Sequence, residues 1–265
     1  MKKAFDFKDK YNLEDLLHIM QLLRGEGGCP WDREQDHHSI RNNFIEETYE
    51  AVEAIDTENA VLLKEELGDV LLQIVFHAQM EQEKGVFDFG DVCDGICKKL
   101  IYRHPHIFAD TVVSDAEQVL ANWDKLKRKE KSQDTIESTL RAVSRALPGL
   151  TRSAKVQKRA DRAGFAYPDV DGAMRDLESE LLELRQALES GNEANIGEEI
   201  GDLLFSAVNV SRISGKDPEE MLGRSTEKFI ARVAGVERLA KETGIDLSAC
   251  SADVLNDLWK KVKKY

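Results

Sequence analysis

Apolar residues recur along this chain at the three- and four-residue spacing of helices, and no segment alternates as a strand does. Leu13, Leu16, Leu17, Met20 and Leu23 form one such stripe, followed by the Gly/Pro loop GEGGCPWD over 25–32, which breaks the helix. The aromatic at its end, Trp31, reads either as a core or lid residue or as a platform for a flat ligand. Helical spacing resumes over 40–55 and again over 62–82, where Leu67, Val70, Leu71, Ile74 and Val75 are expected on the buried side. A fourth helix is expected over 87–103, opened by Asp88 or Asp91 and closing in Lys99 and Arg103. A loop over 103–115 and a helix from 116 bearing Trp123 and Lys127 complete the half.

From 128 the chain turns charged, then polar, and ends in Pro148 and Gly149, which reads as a junction. The same order then returns: a helix over 153–163, a loop over 164–169 containing Tyr167, helices over about 171–189 and 195–213, and two more carrying PEEMLGRSTEKFIARV and ADVLNDLWKKVKKY. An internal duplication accounts for the recurrence with one assumption. The expected organisation is all-α, with a domain over 1–130, a linker over 131–150 and a second domain over 151–265.

Acidic residues sharpen the repeat. Glu47, Glu50, Glu66 and Asp69 reappear as Glu180, Glu183, Glu199 and Asp202, each numbered 133 higher. Residues three apart share a helix face, so each ExxE or ExxD pair aims two carboxylates one way. Two such helices packed antiparallel converge four carboxylates, whose repulsion a hard divalent cation relieves. Isolated pairs of this kind are usually solvated surface charge; their repetition in apolar surroundings, where an unpartnered Asp69 is costly, argues otherwise. All-carboxylate ligands favour magnesium over zinc, with manganese as a substitute, and the Glu-x-x-His pairs of a di-iron bundle are missing. Lys228 and Arg232, then Trp259 and Lys263, follow the acids at four-residue spacings that the first half repeats. They suit the outer oxygens of a metal-bound phosphate ester.

Composition narrows the partners. A net charge of -13 over 265 residues disfavours a nucleic-acid backbone but allows an anionic small molecule whose charge is masked locally. The four cysteines form no CxxC or zinc spacing and read as reduced cytosolic thiols. The two lysines at the start have no apolar run behind them, hence no secretory signal is expected, and no window is long and apolar enough for a membrane span.

The EExxE and ExxD helices, the GCPWD loop, the RHPHIF segment and the KFxxR and WxxVK endings resemble the MazG-type nucleoside triphosphate pyrophosphohydrolases in their long two-domain bacterial form. The resemblance spans nearly the whole chain. It implies two tandem all-α domains with four-helix-bundle-like cores, a cytoplasmic homodimer, and Mg²⁺-dependent hydrolysis of a nucleoside triphosphate to the monophosphate and pyrophosphate. By position it implies that Glu180, Glu183, Glu199 and Asp202 hold magnesium and carry catalysis. Lys228, Arg232 and Lys263 then contact phosphates, Trp259 lines the site, and the C-terminal copy is the active one.

The two copies differ where chemistry is expected. Glu46 leads the first acid run and Ser179 stands in its place in the second, which weakens the copy expected to be active. Asn209, seven residues after Asp202, replaces Phe76 of the first half, and Lys158 and Arg159 precede only the second loop; these, with Tyr167 near the base, read as substrate contacts. The first set of acids is expected to be a second, less active cation site. A helical module that binds nucleotides or a protein without turnover, and a narrow dUTP-type or house-cleaning hydrolase, remain as alternatives.

Overall fold

The computed structural model describes residues 5–111, 113, 115, 118–119, 122–123, 126 and 135–263. Among them are twelve helices and no strand. The chain divides into two compact units, Met1–Leu126 and Lys127–Tyr265. Lys127 and the start of the expected junction, 128–134, lie outside the described residues.

Unit 1 contains α1 (Leu13–Arg24), α2 (Pro30–Glu34), α3 (Arg41–Asp56), α4 (Ala60–Glu83), α5 (Phe89–Arg103) and α6 (Pro105–Phe108). Their starts follow local chemistry. Asn12 and Asp88 each cap a helix through the side chain and donate their own backbone N–H to the side chains of Asp15 and Asp91, so both candidate acids of α5 take part. Pro105 opens α6 inside the segment expected as loop, as a first-turn proline readily does. Helix α4 is the spine and packs against α1, α3 and α5. Met20, Ile40, Val75, Phe76 and Met80 are buried together, with Leu16, Leu17, Leu71 and Phe89 against them.

One expectation about α4 is corrected. Leu67 is 55% exposed whereas its neighbour Glu66 is only 7% exposed, so the helix turns an acid inward and an apolar residue outward. The cause is the pairing of α4 with α3, which puts the acid row, not Leu67, on the facing side. Trp31 is 59% exposed, which rules out the core reading.

Unit 2 contains α7 (Ile136–Arg141), α8 (Gly149–Asp161), α9 (Val170–Ser190), α10 (Glu193–Ile213), α11 (Pro218–Thr243) and α12 (Ala252–Val262). Part of the expected junction is thus helix: α7 packs on α8, and Val143 is buried behind it. Helix α10 packs against α9 and α8, and α11 pairs with α12. Val236, Ala240 and Leu258 are buried between that last pair, with Ile245, Leu247 and Trp259 around them.

The two acid-bearing hairpins, α3–α4 and α9–α10, turn in the same way. Asn59 and Asn192 accept a backbone N–H from the first turn of the second helix, and the residue before each is left-handed: Glu58 at φ 53° and Gly191 at φ 66°. The duplication therefore preserves a turn as well as a sequence pattern. Open space surrounds Gly191, so only its backbone angle opposes a side chain. Left-handed strain of 1–2 kcal/mol, less the entropy that alanine removes from the unfolded chain, leaves Gly191→Ala about 1 kcal/mol less stable. Chemical denaturation should show that loss.

Candidate active site

Helices α9 and α10 run side by side from the Gly191 turn, and this brings Glu180, Glu199 and Asp202 together with carboxylate oxygens all within 4.8 Å of one another. In unit 1 the equivalent hairpin gathers Glu47, Glu66 and Asp69 within the same distance. Each group can hold a metal ion. The fourth acid of each set stands beside its group. Glu183 is exposed and accepts a hydrogen bond from Ser179 Oγ at 3.1 Å, while Glu50 shares one with Glu66. Ser179, the apparent weakness of the second copy, therefore orients one of its acids.

Electrostatics mark both groups as charge-crowded. Burial first, then the charges of Glu183, Asp176, Asp202 and Glu199, raises the pKa of Glu180 above its ordinary value. Burial followed by Glu183 and Asp202 does the same to Glu199. In unit 1, burial leads again, with Glu50 and Asp69 acting on Glu66 and with Asp69 and Glu50 on Glu47. The named neighbours are all carboxylates, the environment that a cation relieves.

Asp176 is a site residue missed in the sequence. It lies one turn before Glu180, accepts from Ser206 Oγ at 2.8 Å and is hydrogen-bonded to Tyr167, whose pKa is raised by burial and by that bond. Its spacing is the available signal, since Asp176, Glu180 and Glu183 occupy one helix face. Tyr167 thus reaches the acid cluster from the loop before α9. Unit 1 lacks this trio, with Asn43 and Gln73 at the positions of Asp176 and Ser206.

The remaining candidates separate into two sets. Lys228 and Arg232 lie on α11 and Trp259 and Lys263 at the α12 end, and the Trp259 ring packs at 5.5 Å from Phe229. Between these helices a cavity of about 510 Å³ is lined by Phe229, Val233, Leu255, Asn256 and Trp259. The other set is engaged in packing. Arg159 donates to the Thr139 carbonyl and ties α7 to α8, and Asn209 is buried with its Oδ1 accepting from Arg212 at 2.6 Å. Arg212 in turn pairs with Asp161. Lys158 is exposed on α8.

These features define an all-α protein of two repeated domains, each converging three carboxylates in a helical hairpin. The chain belongs to the MazG family: the model of the MazG nucleotide pyrophosphohydrolase domain matches residues 35–108 and 170–236, one match on each acid-bearing hairpin. The chain is 41% identical over 257 residues to the nucleoside triphosphate pyrophosphohydrolase of Escherichia coli K12, covering 95% of this chain and 97% of that one. It is 40% identical over 250 residues to the nucleoside triphosphate pyrophosphohydrolase/pyrophosphatase MazG of Thermotoga maritima, covering 94% and 95%. It is also 42% identical over 247 residues to the uncharacterized protein YabN of Bacillus subtilis, spanning 93% of this chain and 50% of YabN.

The crowding has a measurable sign. A carboxyl whose pKa is raised on folding stabilises the fold below its unfolded pKa, and that contribution is lost as pH rises through the folded value. With chelator present, the double variant Glu180→Gln/Glu199→Gln should therefore melt above the wild type at pH 8, and the gap should close as pH falls through the carboxylate range. Adding a divalent cation should reverse the order at pH 8, because the wild type alone keeps its ligands. Thermal melts at several pH values check both.

Proposed function

We propose that the chain hydrolyses nucleoside triphosphates to the monophosphate and pyrophosphate in a magnesium-dependent reaction carried mainly by unit 2. The observation that carries this is the carboxylate group Glu180, Glu199 and Asp202, flanked by Glu183 and supported by the Tyr167–Asp176–Ser206 contacts that unit 1 lacks. The names of the Escherichia coli and Thermotoga relatives support the same reading. Oxygen-only donors fit magnesium, with manganese as a substitute. When bound, the ion supplies charge neutralisation for the phosphates and a lowered pKa for water.

The chain's own groups take the other roles. Lys228, Arg232 and Lys263 bind phosphate oxygens, Arg232 as a fork and the lysines as point charges. Trp259, half-buried beside the α11–α12 cavity, lines the nucleoside end, and Tyr167 sets the shape near the acids. A water oxygen bonds to phosphorus, the bridge between the α and β phosphates breaks, and the water proton passes to a carboxylate. Glu183, outside the three-acid group and oriented by Ser179, is positioned to receive it.

Two further features fit this enzyme. Helices α9 and α10 leave Leu181, Leu182, Ile200 and Leu204 between 44% and 55% exposed, apolar surface suited to a second copy in a homodimer. Four free cysteines fit a reducing cytoplasm, and no helix among the described residues is long and apolar enough to cross a membrane.

Glu183→Gln or Asp202→Asn should lower magnesium-dependent pyrophosphate release by about a hundredfold or more, whereas Glu50→Gln should leave total turnover nearly unchanged, a halving instead meaning that both copies work. A pyrophosphate assay across a nucleotide panel decides. Full activity in either unit 2 variant overturns the assignment, and tight nucleotide binding without product favours a non-catalytic binding module.

A further inference from the structure

One register position separates the surroundings of the two acid groups. Residue 73 on α4 and residue 206 on α10 are equivalent, one turn beyond Asp69 and Asp202. In unit 2 the position is Ser206, whose hydroxyl is bonded to Asp176. In unit 1 it is Gln73, which is 8% exposed and whose Oε1 is buried with no hydrogen-bond partner. A buried amide oxygen left unpaired is costly, and folds seldom keep one without a reason.

The register of α4 gives that oxygen its direction. At about 100° per residue, Gln73 stands about 20° from Glu66 and about 40° from Asp69 around the helix axis, between the two acids. Helical side chains lean toward the N-terminus of their helix, which carries the Gln73 amide back toward Asp69. Ser206 shows the same facing in the other copy, since from this position it reaches α9 one turn before Glu180.

The unit 1 acids are also the more enclosed set. Glu66 is 7% exposed, whereas its counterpart Glu199 is half-buried; Asp69 is half-buried, whereas Asp202 is exposed. Glu50, hydrogen-bonded to Glu66, adds a carboxylate at the edge of the group. Magnesium and calcium part on such grounds. Magnesium gives up its waters reluctantly and takes few carboxylates, so an open group that leaves room for water and substrate oxygens suits it. Calcium takes about six to eight oxygens, binds carboxylates through one oxygen or both, and accepts the carbonyls of Asn and Gln. A crowded, enclosed set with a neutral amide oxygen facing it fits the larger ion.

We infer that the acid group of unit 1 is a calcium-selective site in which Gln73 Oε1 is a ligand beside Glu47, Glu66 and Asp69. The cation there holds α3 and α4 together, and Gln73 sets which cation it is. The unpaired amide is then the part of the fold that the ion completes. This site is independent of the reaction proposed for unit 2.

Equilibrium dialysis with the metal alone tests it on the full chain carrying Glu180→Gln/Glu199→Gln, which disables the unit 2 group. Ca²⁺ should bind at one site per chain, at least about tenfold more tightly than Mg²⁺. The converse chain, Glu47→Gln/Glu66→Gln, should show no such preference. In the first background Gln73→Leu, which keeps the bulk and removes the oxygen, should weaken Ca²⁺ at least about tenfold and Mg²⁺ by less than about twofold, with the helical circular dichroism retained. If that variant loses its helical signal, Gln73→Ser, which installs the residue of unit 2, makes the same test. No Ca²⁺ binding, Mg²⁺ binding as tight as Ca²⁺, or unchanged Ca²⁺ affinity in the Gln73 variants overturns the inference; the last is the result expected if a buried water satisfies the amide. Because no nucleotide is present, failure of the proposed reaction and failure of this site read out separately.

Discussion

Mutual repulsion among carboxylates is the constraint around which both domains are arranged. Burial, and then the charges of neighbouring carboxylates, raises the pKa of Glu180 and Glu199, which stand with Asp202 within 4.8 Å of one another. Such a cluster persists in a fold only because the rest of the hairpin over-determines it. The short turns do much of this: Asn59 and Asn192 cap the second helix of each hairpin, and the left-handed residue before each fixes where that helix starts. A change of one residue in either turn rotates Glu66 or Glu199 by about 100° around its helix and disperses the group.

Most of the helices were legible in the sequence because their apolar spacing and caps agree. The repeat of four acids at a constant offset also made the two acid groups legible, since no packing requirement produces that text twice. Leu67 was not legible. Periodicity assumes that the apolar side of a helix is the buried one, and at α4 the acid row displaces Leu67 outward. Helix α7 was hidden for a different reason: its sequence, IESTLR, has too few apolar positions to show a period, and what holds it is the Arg159 bond to Thr139 and the packing on α8. Asp176 was visible only as one more acid on an acidic helix; its partner Ser206 is far from it in sequence and close only once α9 and α10 pair, while Tyr167 reaches it from the loop just before α9.

Asn209 and Phe76 hold equivalent positions in the two copies; both are buried, and each serves its own core. Phe76 packs with Met20, Ile40 and Met80 beneath the Arg24 guanidinium, while Asn209 joins Arg212 and Asp161 in a polar network. Below the acids, one copy is apolar and the other hydrogen-bonded. Removing Asp161 or Asn209 leaves Arg212 underpaired, the costly half of such an exchange.

The two copies have thus diverged around a shared scaffold. Unit 2 keeps polar support directly behind its acids, through Asp176, Ser206 and Ser179, and collects its cations on α11 and α12. Unit 1 retains the acid group without that support and sets the buried, unbonded amide oxygen of Gln73 one turn beyond it. A duplicated hairpin tolerates this because the exchange falls past the acids on the second helix, away from the Asn59 and Asn192 turns that gather them. The acids record what the copies inherited in common, and the residues one to two turns away record what each became.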